Sequence, residues 1–122
     1  MGVLVNVVNL ISIITTKGLP SIEVYLKTFS TLALIDSASG LNLMKKEVFD
    51  RCLIDNRGVR PSKVRVKGVN GSISQAIGEI ELELRIMDRN FKFLFILIED
   101  AAFPTNLLLG FRALQAARIV TD

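Results

Sequence analysis

The chain has 122 residues, half of them hydrophobic, enough for one compact domain with a substantial core. It contains no His and a single cysteine, Cys52, which excludes an intrachain disulfide, Cys-cluster metal sites and the imidazole base of Ser and Cys hydrolases and leaves hydrolysis to carboxylates, with Lys as a second resource. The net charge of +3 comes from scattered Lys and Arg, and the densest patch, Arg57 to Lys67, alternates with Val, Pro and Ser, so it reads as the solvated face of a strand region rather than a nucleic-acid stripe.

Seven Phe, one Tyr and no Trp beside many branched residues suit strands better than a stacking platform for bases. The opening run, MGVLVNVVNLISII, is apolar but interrupted by Asn6 and Asn9. It is too short to span a bilayer and has no basic leader or small-residue cleavage site. Asn6 stands where an N-myristoylation site wants Ser or Thr. No membrane partner is therefore expected, and the expected setting is intracellular.

Val3 to Ile14 suits one long or two short strands, and Lys17-Gly-Leu-Pro20 breaks the run. Ser21 to Thr28 alternates Ile22, Val24 and Leu26 with Glu23, Tyr25 and Lys27, the mark of a half-buried strand. Thr31 to Ile35 predicts a fully apolar strand that ends at Asp36. The next segment, LMKKEVFDRCLID, mixes its spacings and fits either one or two helical turns or a strand. Val64 and Val66 alternate with Arg65 and Lys67 up to Asn70-Gly71, a hairpin signal because both residues tolerate positive φ. A second hairpin runs through IELELRI, turns at Asp88-Arg-Asn90 and returns as FKFLFILIE, sharing a middle segment from Ile73 to Met87 with the first. Asn106 to Leu109 predicts an apolar strand, Gly110 a break and Phe111 to Ala117 a short helix. Neither a repeat nor a second domain is evident.

The stretch ALIDSASGLNLM, residues 33 to 44, brings an acid to the end of an apolar strand and follows it with small residues. Such a turn delivers a carboxylate to the edge of a core with room for something to approach. By itself it is equally the signature of a capping Asp. Its flanking strand, Asn42 with Leu43-Met44, the Gly/Asn-tipped hairpin and LLLGFRAL near the end together give it weight.

In these features the chain, from Ser21 to Asp122, resembles the retropepsins, the aspartic proteases of retroviruses and LTR retrotransposons. The gypsy-type elements and their domesticated host descendants are the most similar. The resemblance implies an all-β fold: a closed β-barrel with a flap hairpin and one short C-terminal helix, half of a two-fold symmetric dimer. It divides the chain into an N-terminal strand or interface segment, residues 1–20, and a protease domain, residues 21–122. Asp36 would be catalytic, one copy from each protomer of a homodimer, with Ser37, Ala38 and Ser39 completing the active-site loop. Gly68, Val69, Asn70, Gly71 and Ser72 would form the flap tip over a peptide or polyprotein substrate. No metal or cofactor is needed, and the setting would be cytoplasm or a virus-like particle.

Two close carboxylates cannot both ionise cheaply, so they share a proton and offer an acid and a base together. Ser37 would hydrogen-bond across to the partner's backbone. The departure is Ala38, where the family has Gly: a β-carbon there either strains the loop or crowds the cleft. The alternative function is accordingly a catalytically blunted dimerisation or peptide-binding module. Cys52 reads as a packed or surface thiol, since no His exists to activate it.

Overall fold

The computed structural model describes residues 3–7, 10–15, 20–67, 71, 73–99 and 105–119. The N-terminal run expected to be one long or two short strands is two, β1 (Val3–Val7) and β2 (Leu10–Thr15), joined antiparallel. Next come β3 (Ser21–Tyr25) and β4 (Ser30–Ile35), then β5 (Asn42–Lys45), which runs directly into α1 (Lys46–Arg51). The segment that fitted helix or strand is thus both in succession. β6 (Arg65–Lys67) and β7 (Ile73–Gln75) pair antiparallel as the first predicted hairpin, and β8 (Gly78–Ile86) and β9 (Arg89–Ile98) as the second. β10 (Leu107–Leu109) and α2 (Phe111–Ala117) complete the described chain, the helix on the bounds read from sequence.

The middle segment expected from Ile73 to Met87 is interrupted. The amide of Ala76 donates to Val64 O, yet that of Ile77 donates to Leu97 O; the chain changes partners there and leaves one sheet for another. Period-two alternation carries no record of which neighbour a strand has, so the break was not visible in the residues.

Six strands close a barrel in the order β10-β4-β3-β8-β9-β5, while β1-β2-β6-β7 forms a separate four-stranded sheet. Along β8 every second residue is buried, from Gly78 to Ile86, with Glu81, Glu83 and Arg85 facing water. β10 explains the LLL run. It lies parallel to β4 and antiparallel to β5, which pair its two edges, and both of its faces are packed, so a continuous apolar sequence is required. Leu107 and Leu109 join Val24, Ile35, Met44, Phe95 and Leu97 inside the barrel. Leu108, with Leu34, Leu43, Ile96 and Ile98, faces outward under Val66 and Ala76 from the base of the β6-β7 hairpin. Each such Leu or Ile contributes about 1.5–3 kcal/mol by leaving water.

Candidate active site

Asp36 follows the last residue of β4, and its amide donates to Leu109 O at the end of β10 (3.0 Å). The chain then turns: Ser39 N–H donates to Asp36 O (3.1 Å), and Ala38 N–H to the Asp36 carboxylate Oδ1 (3.0 Å). Ser39 is buried, its hydroxyl donating to Leu41 O (2.7 Å) and accepting from Leu41 N–H (3.2 Å). A Ser side chain that closes on the backbone two residues on stabilises just such a tight turn.

The loop is fastened to the joint between β10 and α2. Phe111 N–H donates to Ser39 O (2.8 Å) and Gly110 N–H to Asn42 Oδ1 (2.8 Å), while Asn42 Nδ2 donates to Leu94 O in β9 (3.1 Å). At Gly110 the approach is so close that a β-carbon would lie 2.6 Å from Leu41 O and 2.7 Å from Ser39 O. Only glycine fits without moving backbone. Asn42 and Gly110 were noted in the sequence as parts of a pattern; their shared hydrogen bond, across 68 positions of chain, was not legible there.

Asp36 is 3 % exposed and is the only buried carboxylate among the described residues. Burial pushes its pKa above the usual carboxylate range, and the Ala38 amide, which favours the charged form, opposes this in part. Ser37, Ala38 and Gly40 around it are exposed. Positive φ among the described non-glycine residues occurs at Leu53, Met87 and Arg118, and not at Ala38. Of the two consequences expected for the Ala38 β-carbon, backbone strain therefore falls away, and what remains is a methyl group on the open face beside the carboxylate.

Six closed strands place a buried carboxylate on a short loop pinned by a glycine, and the fold of these strands recurs in solved structures. The chain resembles the retroviral protease-like domain of Ddi1 from Leishmania major (TM-score 0.64, 20% identity, 85% of this chain and 77% of that one). It likewise resembles the EIAV protease complexed with the inhibitor HBY-793 (0.68, 15%, 87% and 94%). A third likeness is to a retropepsin-like aspartic protease from Rickettsia conorii (0.57, 16%, 84% and 73%). The fold is retropepsin-like. No protein-family model matches the sequence, and no curated protein does.

The segment expected from the sequence to be a flap includes β6 and β7. Gly71 has φ +87° with open space around it, a conformation that favours glycine; Gly68, Val69, Asn70 and Ser72 lie outside the described residues. Arg112 is exposed, lines a groove of about 380 Å³ beside Gly40, Leu41 and Asn42, and makes no ion pair among the described residues. A wider groove of about 740 Å³ lies at the other end of β4, lined by Tyr25, Phe29, Glu83 and Arg85. Its distance from the Asp36 loop separates it from the candidate chemistry. Cys52 is buried with its thiol on Val48 O (3.4 Å), and burial raises its pKa, so the nucleophilic thiolate is disfavoured. Among the described residues no helix is long and apolar enough to cross a membrane.

Proposed function

We propose that this chain is a homodimeric aspartic endopeptidase of retroelement type that cuts polyprotein peptide bonds in an intracellular setting, with one Asp36 carboxylate from each protomer. The observation that carries this reading is a single buried carboxylate among the described residues, on a loop whose flanking residues are exposed. Desolvation already favours its protonated form. A second Asp36 brought close would separate the two protonation steps further, so that one proton is shared by the pair.

In the proposed reaction the ionised Asp36 takes a proton from a water as its oxygen forms a bond to the peptide carbonyl carbon. The protonated Asp36 donates a hydrogen bond to the carbonyl oxygen, where negative charge gathers. Collapse of the tetrahedral species breaks the C–N bond, and the nitrogen leaves with a proton from the dyad. The Ala38 amide on Asp36 Oδ1 fixes the carboxyl orientation, and the β6-β7 hairpin closes over an extended substrate that adds as a strand. Ser37, exposed on the loop, would bind the partner's backbone.

Ala38 favours a second reading, a dimerisation or peptide-binding module, because its methyl group occupies the face that substrate or a second protomer must approach. The test is hydrolysis of a mixed peptide library at pH about 5, where a shared-proton dyad is half-protonated. Cleavage lost in Asp36→Asn and kept or increased in Ala38→Gly supports the protease. Undiminished cleavage by Asp36→Asn overturns the dyad, and cleavage by Ala38→Gly alone selects the blunted module.

A further inference from the structure

Both edges of β6 are taken by the chain itself. β7 pairs with one, antiparallel. Along the other lies β2, parallel, with Leu10 opposite Arg65, Ile11 opposite Val66 and Ser12 opposite Lys67. Among the described residues this is the sole strand pairing between the N-terminal hairpin and the rest of the chain. β6 is also close to the candidate chemistry. Val66 is fully buried in the cluster of Leu34, Leu43 and Leu108. Leu34 lies two residues before Asp36, and Leu108, its partner across β4 and β10, precedes Leu109, whose carbonyl accepts from the Asp36 amide.

We infer that the outer edge of β6 is a strand-acceptor site whose internal occupant is residues 10–12, so that an extended peptide enters by displacing β2. The inference rests on the protease reading and deepens it, since a substrate that adds as a strand to the β6-β7 hairpin needs an edge and β7 holds the other one. Main-chain bonds do not depend on which chain supplies them, and the two strands therefore compete for one row of donors and acceptors. The occupant suits its place: Leu10–Thr15, LISIIT, is uncharged and rich in β-branched residues. Residues 16–20 alone separate it from β3, a tether short enough to hold it at an effective concentration on the order of millimolar. Yet β2 engages β6 through three of its six residues, so its hold is limited and exchange is open to a longer strand. The peptide class that replaces it best has the same character, an uncharged extended segment rich in Ile, Leu, Val and Thr.

The test uses the full chain carrying Asp36→Asn, so that bound peptide is not cut, and a fluorescein-labelled peptide with the sequence of residues 9–17, followed by anisotropy. Ser12→Cys with Lys67→Cys puts thiols at opposed positions on strands about 4.8 Å apart, within disulfide reach, while Cys52 is buried. Peptide binding is expected to be lost in the oxidised form and to return on reduction. Ile11→Pro with Ser12→Pro removes amide donors from β2 and is expected to lower the apparent Kd by about tenfold or more, the shift produced when about a tenth of the parent molecules or fewer are open. Equal binding by oxidised and reduced forms, or a Kd untouched by the prolines, overturns the inference. So does a disulfide that joins two chains, because the occupant is then another copy's β2. Hydrolysis of the peptide library is measured on the same variants with Asp36 restored. Binding gated by the disulfide without hydrolysis in any variant upholds the inference and removes the protease reading; hydrolysis indifferent to the disulfide overturns the inference and leaves the protease standing.

Discussion

At Asp36 the cost of burying a charge can be read out directly. Its folded pKa stands above the unfolded carboxylate value because burial disfavours the charged form. The associated stability is fully present below the unfolded pKa, about 3.9, and is lost as pH rises through the folded one. Asp36→Asn removes the charge and keeps an acceptor for the Ala38 amide. The variant is expected to show a higher urea midpoint than the parent at pH 7 to 8, with the gain vanishing as pH falls below about 4. Equal midpoints at pH 8 would remove desolvation as the cause. Gly110 makes the opposite case, since a β-carbon there meets two backbone oxygens. Gly110→Ala is expected to cost about 1–3 kcal/mol in urea unfolding and to depress peptide hydrolysis with it, because the same contact locates the Asp36 loop. Asp36 was legible in the sequence from its place after an apolar strand. The Ser39–Phe111, Asn42–Gly110 and Asn42–Leu94 bonds were not, because each joins groups by a geometry that only the closed barrel creates.

The secondary-structure elements divide by where their information resides. α2 and the β8-β9 hairpin follow from local pattern, a run rich in Ala, Leu and Gln for one and period-two alternation for the other, although the hairpin turns in two residues at Met87-Asp88 and not at Asp88-Arg-Asn90 as the sequence suggested. β5 does not, since Leu43-Met44 fits helix or strand equally, and the choice is made by pairing parallel to β9 and antiparallel to β10. The turn of β8-β9 also holds a local conflict. Met87 has φ +56° and is 80 % exposed, at a turn position where a two-residue hairpin favours glycine. A left-handed conformation costs a non-glycine residue about 1–2 kcal/mol. Met87→Gly is therefore expected to raise stability by about 1 kcal/mol without affecting the Asp36 loop, measured as a urea midpoint shift at constant m-value. A lower midpoint would mean that the exposed methionine packs on something in solution.

For the whole molecule the governing feature is that the described residues hold one buried carboxylate, Asp36, and that the surface around it, Ser37, Ala38 and Gly40, stands open. If two copies build the proposed dyad, specific activity should fall on dilution below the dimer dissociation constant and recover on concentration. Sedimentation and hydrolysis are to be followed over the same range of chain concentration. Specific activity that stays constant in a solution of monomers would exclude a shared dyad. Composition and strand pattern foretold a β-rich chain and the resemblance to the retropepsins a closed barrel, whereas the division into two hydrophobic clusters, one inside and one under the β6-β7 hairpin, depends on which face of each strand is covered.

The insertion of β10 between β4 and β5 sets an order of events during synthesis. The strand that separates them is made some 60 residues after β5 emerges, and until it arrives the two have no common neighbour and the Asp36 loop nothing to fasten to. Contacts of such sequence separation form late and slowly. The bonds that Leu109, Gly110 and Phe111 make to the Asp36 loop and to Asn42 become available only once residue 111 has been made, so the chemistry proposed for the carboxylate is expected to switch on late in synthesis.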